Sequence, residues 1–287
     1  MDGEHAAKPA ARRQARQFPP REVTRGLESE GVEPSPVGRL LQHWRAQRRM
    51  SQLALATEAG VTPRHVSFVE SGRANPSRDM VLKLSRALDV PLRERNQVLL
   101  AAGYAPQYRE TGLDDASMAQ VRAALDTLLE HHEPHPAVVM DRHWNVLRTN
   151  QAATDLFDWL LDGGNPGTPA NVVRLMFGPL RPHVANWEQT GEVLVQRVHR
   201  EAVGGIPDVT TRRLLDEVLA LPGIPKAWRT PDFARTQLPL LPVVFRKDGR
   251  ERAYFSMVTT VGTPHDVTLQ ELRVESFFPD GRAPGGQ

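Results

Sequence analysis

The chain has 287 residues, enough for about two domains, and 40% of them are apolar, so a core can form. It holds no cysteine, which excludes disulfides, thiolate nucleophiles and cysteine-ligated zinc, and fits a reducing compartment. Net charge is only +2, but arginine crowds the first quarter of the chain, which suits a polyanionic partner.

Residues 1–34 are rich in Ala, Arg, Pro and Glu without apolar periodicity, and read as a disordered basic arm carrying Lys8, Arg12, Arg13, Arg16, Arg21 and Arg25. Such an arm would track phosphates and add salt-dependent affinity. Its opening, MDGEHAAKPAARRQARQFPP, has no apolar run, so no secretory signal is expected. No apolar stretch approaches the roughly 20 residues of a membrane span.

From Pro36 to Arg49 the spacing of Val37, Leu40, Leu41 and Trp44 predicts a helix with one buried face. Ser51–Pro76 follows, SQLALATEAGVTPRHVSFVESGRANP, and reads as two short helices joined by a tight turn. Gly60 stands where the chain reverses and tolerates a positive φ. Thr62 is an N-cap residue, and Pro63 takes the first helical position. Ala56 lets the two helices approach, while Val66 and Val69 close the angle between them; this is helix-turn-helix spacing. Arg64, His65, Ser67 and Phe68 point away from that valine face. Arg, His and Ser there suit the reading of base edges in a major groove. Helices are expected next at Ser77–Leu88 and Pro91–Ala102, completing a five-helix domain at residues 35–104.

Residues 105–114 read as a polar linker. The remainder, 115–279, begins with a helix at Asp115–His132. A short strand at Ala137–Asp141 then turns at Arg142 and His143 into a returning strand at Trp144–Asn150. Helices are expected at Gln151–Leu161, Asn171–Phe177, His183–Glu201 and Val209–Leu219. The period then changes to two, with strands at Leu240–Phe245, Ala253–Val261 and Glu271–Phe278. Strands at both ends with helices between them predict one antiparallel sheet covered by helices, an α+β domain. Residues 280–287 read as a flexible tail. The tract His131, His132, His135 lacks a recognisable zinc spacing, so no metal site is expected.

The arrangement SQ, then GVT, then VESGRANPS, resembles the repressor-like (XRE, or Cro/C1-type) helix-turn-helix family. That resemblance implies that Gln52 bonds a phosphate or supports the reading helix. It implies that Thr62, Arg64, His65, Ser67 and Phe68 lie in the groove, and that Arg73 and Asn75 meet the DNA backbone. Pro63 departs from the family's usual polar reader and shifts specificity onto Arg64 and His65. The run HVSFVESGRANPSRDMVLKLSRALDVPLRERNQVLLAAGYAP, with HEPHPAVVMDRHWNVLRTNQAA, RLMFGPLRPHVANW and FSMVTTVGTPHDVTLQELRVESFFP, further resembles the MmyB-like regulators.

The fold this implies is an all-α five-helix repressor-like DNA-binding domain followed by an α+β PAS-like ligand-binding domain. The function implied is sequence-specific, double-stranded-DNA-binding transcription regulation by a homodimer in the bacterial cytoplasm, on the nucleoid. The pocket of the second domain would hold a small apolar, fatty-acid-like molecule. From the residues, its lining would come from Trp144, Phe157, Trp187, Trp228, Phe245, Tyr254 and Phe255, with Arg197 or His199 meeting a ligand carboxylate. No catalytic motif is present, so neither an enzyme nor a cofactor is expected. The alternative is a C-terminal domain that only dimerises the protein or binds a protein partner.

Overall fold

A computed structural model describes residues 34–203, 208–231, 241–262 and 264–281. The expected basic arm, apart from Pro34, and the end of the expected tail lie outside the described residues.

The first half is helical. It consists of α1 (Pro36–Gln47), α2 (Gln52–Ala59), α3 (Pro63–Glu70), α4 (Arg78–Ala87) and α5 (Leu92–Ala101). Side-chain oxygens of Ser35, Ser51, Thr62 and Ser77 each accept a hydrogen bond from a backbone N–H in the first turn of the helix that follows. α1 stops two residues earlier than expected, because Arg49 turns the chain at φ 52°. Gly60 has φ 64° and ends α2 as a left-handed C-terminal residue. Ala56, Val66 and Val69 are buried together with Leu41, Trp44, Leu55, Leu84 and Leu99 in one core.

The second half opens with a 3₁₀ turn at Ala116–Met118 and α6 (Ala119–His131). It continues with β1 (Ala137–Met140), β2 (Val146–Thr149), α7 (Gln151–Leu161) and α8 (Val172–Phe177). Then come α9 (Trp187–Val203), α10 (Val209–Leu219), β3 (Leu241–Lys247), β4 (Arg250–Thr260), α11 (Val267–Glu271) and β5 (Arg273–Pro279). The strands form one antiparallel sheet in the order β2-β1-β5-β4-β3. Side chains alternate between its two faces. Val138, Met140, Val243 and Phe245 join the core made with α7 to α10. Ala137, Val139 and Val274 meet Leu125 and Leu129 of α6 on the other face.

Several bounds shift by a few residues from expectation, and two of the shifts in the second half have a visible cause. The helix expected from His183 starts at Trp187, because the segment before it pairs with β3. The Ala185 N–H donates to the Val244 carbonyl at 2.7 Å, and the Asn186 side chain bonds both Pro242 and Val244. The strand expected from Glu271 starts at Arg273. Asp266 caps the short helix α11 through the Thr268 N–H at 2.8 Å, leaving Glu271 on that helix.

Candidate nucleic-acid interface and ligand cavity

Thr62, Arg64, His65, Arg73 and Asn75 are exposed, and Ser67 and Phe68 are half-buried. The guanidinium groups of Arg64 and Arg73 lie 5.0 and 4.9 Å from the Phe68 ring centre. Phe68 thus holds two cations side by side at the outer surface of α3. Gln52 is engaged within the protein: its Nε2 donates to Glu70 Oε2 at 2.7 Å. Glu70 was invisible to the sequence reading and is the polar hinge of this domain. It is 1% exposed. It accepts two hydrogen bonds from Arg45, at 2.7 and 2.9 Å, while its backbone carbonyl accepts from Gln42. Arg45 also donates to the Met50 carbonyl, so one cluster fixes α1, the entry to α2 and the end of α3. The Glu70 hydrogen bonds, opposed by burial, raise the Arg45 pKa above its ordinary value. Gly38 allows this approach: a Cβ there would lie 2.5 Å from the Glu70 carbonyl oxygen.

The second half contains a cavity between the sheet and α7, α8 and α9, with about 60 Å³ of free space. Trp144, Phe157 and Phe245 line it, together with Met176, Thr190, Glu275 and Phe277 among others. The sequence reading missed these last four. Alternation along β5 places Glu275 and Phe277 on one face, whereas nothing in the sequence singles out Thr190. Trp144 sits in the β1–β2 turn with φ 68°, a strained position for a bulky residue. The turn is built by Asp141, whose carboxylate accepts from the N–H groups of His143 and Asn145.

Other residues expected at the cavity do not line it. Trp187 packs edge-on against Phe177 at 5.0 Å and lies 6.2 Å from buried Trp228. Tyr254 meets Phe277 edge-on from outside, and Phe255 stacks on Phe278 on the opposite face of the sheet. Arg197 lies over the Trp144 ring at 4.5 Å and pairs with Glu201, which also accepts from Trp144 Nε1 and Arg273. Its charge is therefore engaged behind the wall. His199 is buried and donates from Nε2 to the Trp228 carbonyl, since a carbonyl can only accept. The histidine tract is structural as well: His132 Nε2 donates to the Phe277 carbonyl at 2.8 Å.

A polar route joins the two halves. The Leu92 N–H, at the start of α5, donates to Gln270 Oε1 at 2.6 Å. Arg93 of α5 grips Glu271 with two bonds, at 2.7 and 2.9 Å, and also pairs with Glu110. Arg142, in the β1–β2 turn, donates to Glu271 at 3.1 Å and pairs with Asp208 at 2.8 Å. Residues 105–114 are tied down on both sides. Asn96 bonds Gln107 and Tyr108, and Asp266 accepts from Thr111 Oγ1 at 2.6 Å. The hydrogen bonds that Arg93 donates to Glu271, opposed by burial, raise the Arg93 pKa. Burial pushes the Glu94 carboxyl up.

Burial would also raise the Asp208 carboxyl. The Thr211 hydroxyl, the charges of Arg142 and His143 and the Thr210 N–H outweigh it, and the pKa falls from 3.8 to about 2. A carboxyl depressed in the folded state stabilises above its unfolded value, and that contribution is lost as pH falls through the folded one. Asp208→Asn should therefore cost about 1 kcal/mol at pH 7, after solvent screening of this partly exposed group. The difference from wild type should close between pH 3.8 and about 2 in urea unfolding. A gap independent of pH would contradict it.

Residues 121–283, more than half of the chain, match the family described as "MmyB-like transcription regulator ligand binding domain", and residues 41–95 match "Helix-turn-helix". Over 60 residues, 21% of this chain, the sequence is 38% identical to Multiprotein-bridging factor 1 of Candida albicans and 42% identical to that of Saccharomyces cerevisiae. The match spans 40% of the length of each of those relatives. Among solved structures, the restriction-modification controller protein C.AhdI from Aeromonas hydrophila is similar at 36% identity and TM-score 0.21, covering 21% of this chain and 92% of that one. The clp gene regulator ClgR from C. glutamicum is similar at 26% identity and TM-score 0.22, covering 24% and 86%. With a helix-turn-helix domain ahead of a matching ligand-binding domain, the chain belongs to the MmyB-like transcription regulators.

Proposed function

We propose that this protein is a sequence-specific DNA-binding transcription regulator whose C-terminal domain senses a small hydrophobic molecule with a fatty-acid-like chain. The observation that carries the reading is the continuity of β5 with α11. Glu275 and Phe277 of β5 wall the cavity, and Glu271 and Gln270 at the end of α11 hold α5 of the DNA-binding domain. A ligand that fits the cavity differently in two arrangements of β5 would bias how α5 is held, and so the presentation of α3. The hairpin opening and the strand order support a PAS-like sheet. A domain used only for assembly has no need of an enclosed apolar cavity. The protein works by binding, not catalysis, as a cytoplasmic homodimer placing two copies of α3 on a pseudo-palindromic site.

On the DNA side, Arg64 and His65 read bases, with Thr62 and Ser67 beside them, and Arg73 and Asn75 meet phosphates. Gln52 acts through Glu70 by setting the angle of α3. Arg64→Ala should cost about 1–3 kcal/mol of DNA affinity and relax sequence preference at one position of each half-site. The check is fluorescence anisotropy on duplexes selected from a random pool. Unchanged affinity together with an unchanged selected sequence would overturn the docking of α3.

A further inference from the structure

The cavity is walled almost entirely by apolar side chains, with the carboxylate of Glu275 and the hydroxyls of Thr190 and Ser256 among them. Thr190 is 1% exposed, and its Oγ1 has no hydrogen-bond partner among the described residues. Glu275 is 9% exposed and lines the same cavity, with no hydrogen bond or ion pair among the described residues. Ser256, paired across the sheet with Phe277, adds a further hydroxyl. Among the described residues that line it there is no Lys, Arg or His. The nearby cations are committed elsewhere: Arg273 and Arg197 lie against Trp144 and pair with Glu201.

Buried polar groups in native proteins are nearly always partnered, so the orphan hydroxyl of Thr190 marks a place for one more hydrogen-bond partner. A carboxylate accepts hydrogen bonds, and a threonine hydroxyl can accept as well as donate. An anionic head entering this cavity would face the Glu275 carboxylate with no cation among the described lining residues, and like charges in a low-dielectric site repel strongly. A head that donates hydrogen bonds would find acceptors in Glu275 and Thr190, which line the same cavity.

We propose that Glu275 and Thr190 form the polar anchor of the cavity, and that its ligand is an alkyl molecule with a hydrogen-bond-donating head, an alcohol or an amine, in place of a free carboxylate. This rests on the reading of the cavity as a hydrophobic ligand site and names the head group that the site selects.

The test is isothermal titration calorimetry of the full chain with 1-octanol, octylamine and octanoate at one pH and ionic strength. Wild type should bind 1-octanol and octylamine at least about 10-fold more tightly than octanoate. The isosteric Glu275→Gln should shrink the octylamine-to-octanoate ratio by about 10-fold or more, and Thr190→Val should weaken 1-octanol about 5-fold. Far-UV circular dichroism and urea midpoints check that both variants are folded. Octanoate binding tightest, or a ranking unmoved by Glu275→Gln in folded protein, overturns the head-group assignment and leaves the hydrophobic-site reading standing. Failure of all three probes to bind wild type overturns both.

Discussion

Arg45→Ala is expected to destabilise the DNA-binding half by about 3–5 kcal/mol, because it strands a fully buried carboxylate. Among the described residues, Arg45 supplies two of the three side-chain hydrogen bonds that the Glu70 carboxylate accepts, and Gln52 supplies the third. With Arg45 gone, Gln52 alone cannot offset the desolvation of a group that is 1% exposed. The pair need not be strongly stabilising for this to hold, since most of the cost comes from breaking it. The double replacement Arg45→Met with Glu70→Leu should therefore recover much of the loss in urea unfolding. A single-variant cost below about 1 kcal/mol would place the pair among solvent-screened surface bridges. DNA affinity should not recover with stability in the double variant, because Gln52 would lose the acceptor that fixes α2 against the end of α3.

Trp228→Ala is expected to cost about 3–5 kcal/mol in the second half. Trp228 closes an aromatic cluster with Phe177 and Trp187, at ring-centre distances of 6.4 and 6.2 Å. Gly191 of α9 packs so closely on this cluster that a Cβ there would lie 2.7 Å from the Trp228 ring. Truncating the indole leaves a void flanked by a rigid helix, which cannot collapse to fill it. Phe157→Ala provides the contrast. Phe157 is half-buried and lines the cavity, so its removal should cost less stability and should change alkyl-probe affinity in calorimetry. Equal stability losses at the two positions would contradict the separation of Trp228 in the core from Phe157 in the cavity wall.

The helix-turn-helix was legible because its signals are local. The cap Thr62, the reversal at Gly60 and the inward Val66 and Val69 each act within a few residues. The exposed row of Thr62, Arg64 and His65 follows from the same spacing. Glu70 and Arg45 were missed because their pairing spans three helices, and an acid or an arginine on a helix reads as surface. In the second half, strand alternation found the sheet. It misplaced the start of β5, because the cap at Asp266 creates a helix only five residues long. Trp187 and Tyr254 were expected in the cavity on aromatic character, which cannot tell core from pocket. Arg197 was expected to meet a ligand carboxylate, but Glu201, on the next turn of the same helix, engages it. The link through Arg93 and Glu271 joins residues 178 apart in sequence and left no local trace.

Ligand sensing requires that the cavity control the DNA-binding face. The direct measurement is the anisotropy-derived Kd of the full chain for its selected duplex, with and without a saturating amount of whichever alkyl probe binds tightest, in wild type and in Glu271→Gln. Ligand control predicts a change of about 5- to 150-fold in wild type, the usual range of coupling between sites. That change should shrink towards unity in Glu271→Gln, where the grip on Arg93 and Arg142 is weakened. A wild-type Kd that stays the same with the cavity filled would contradict it.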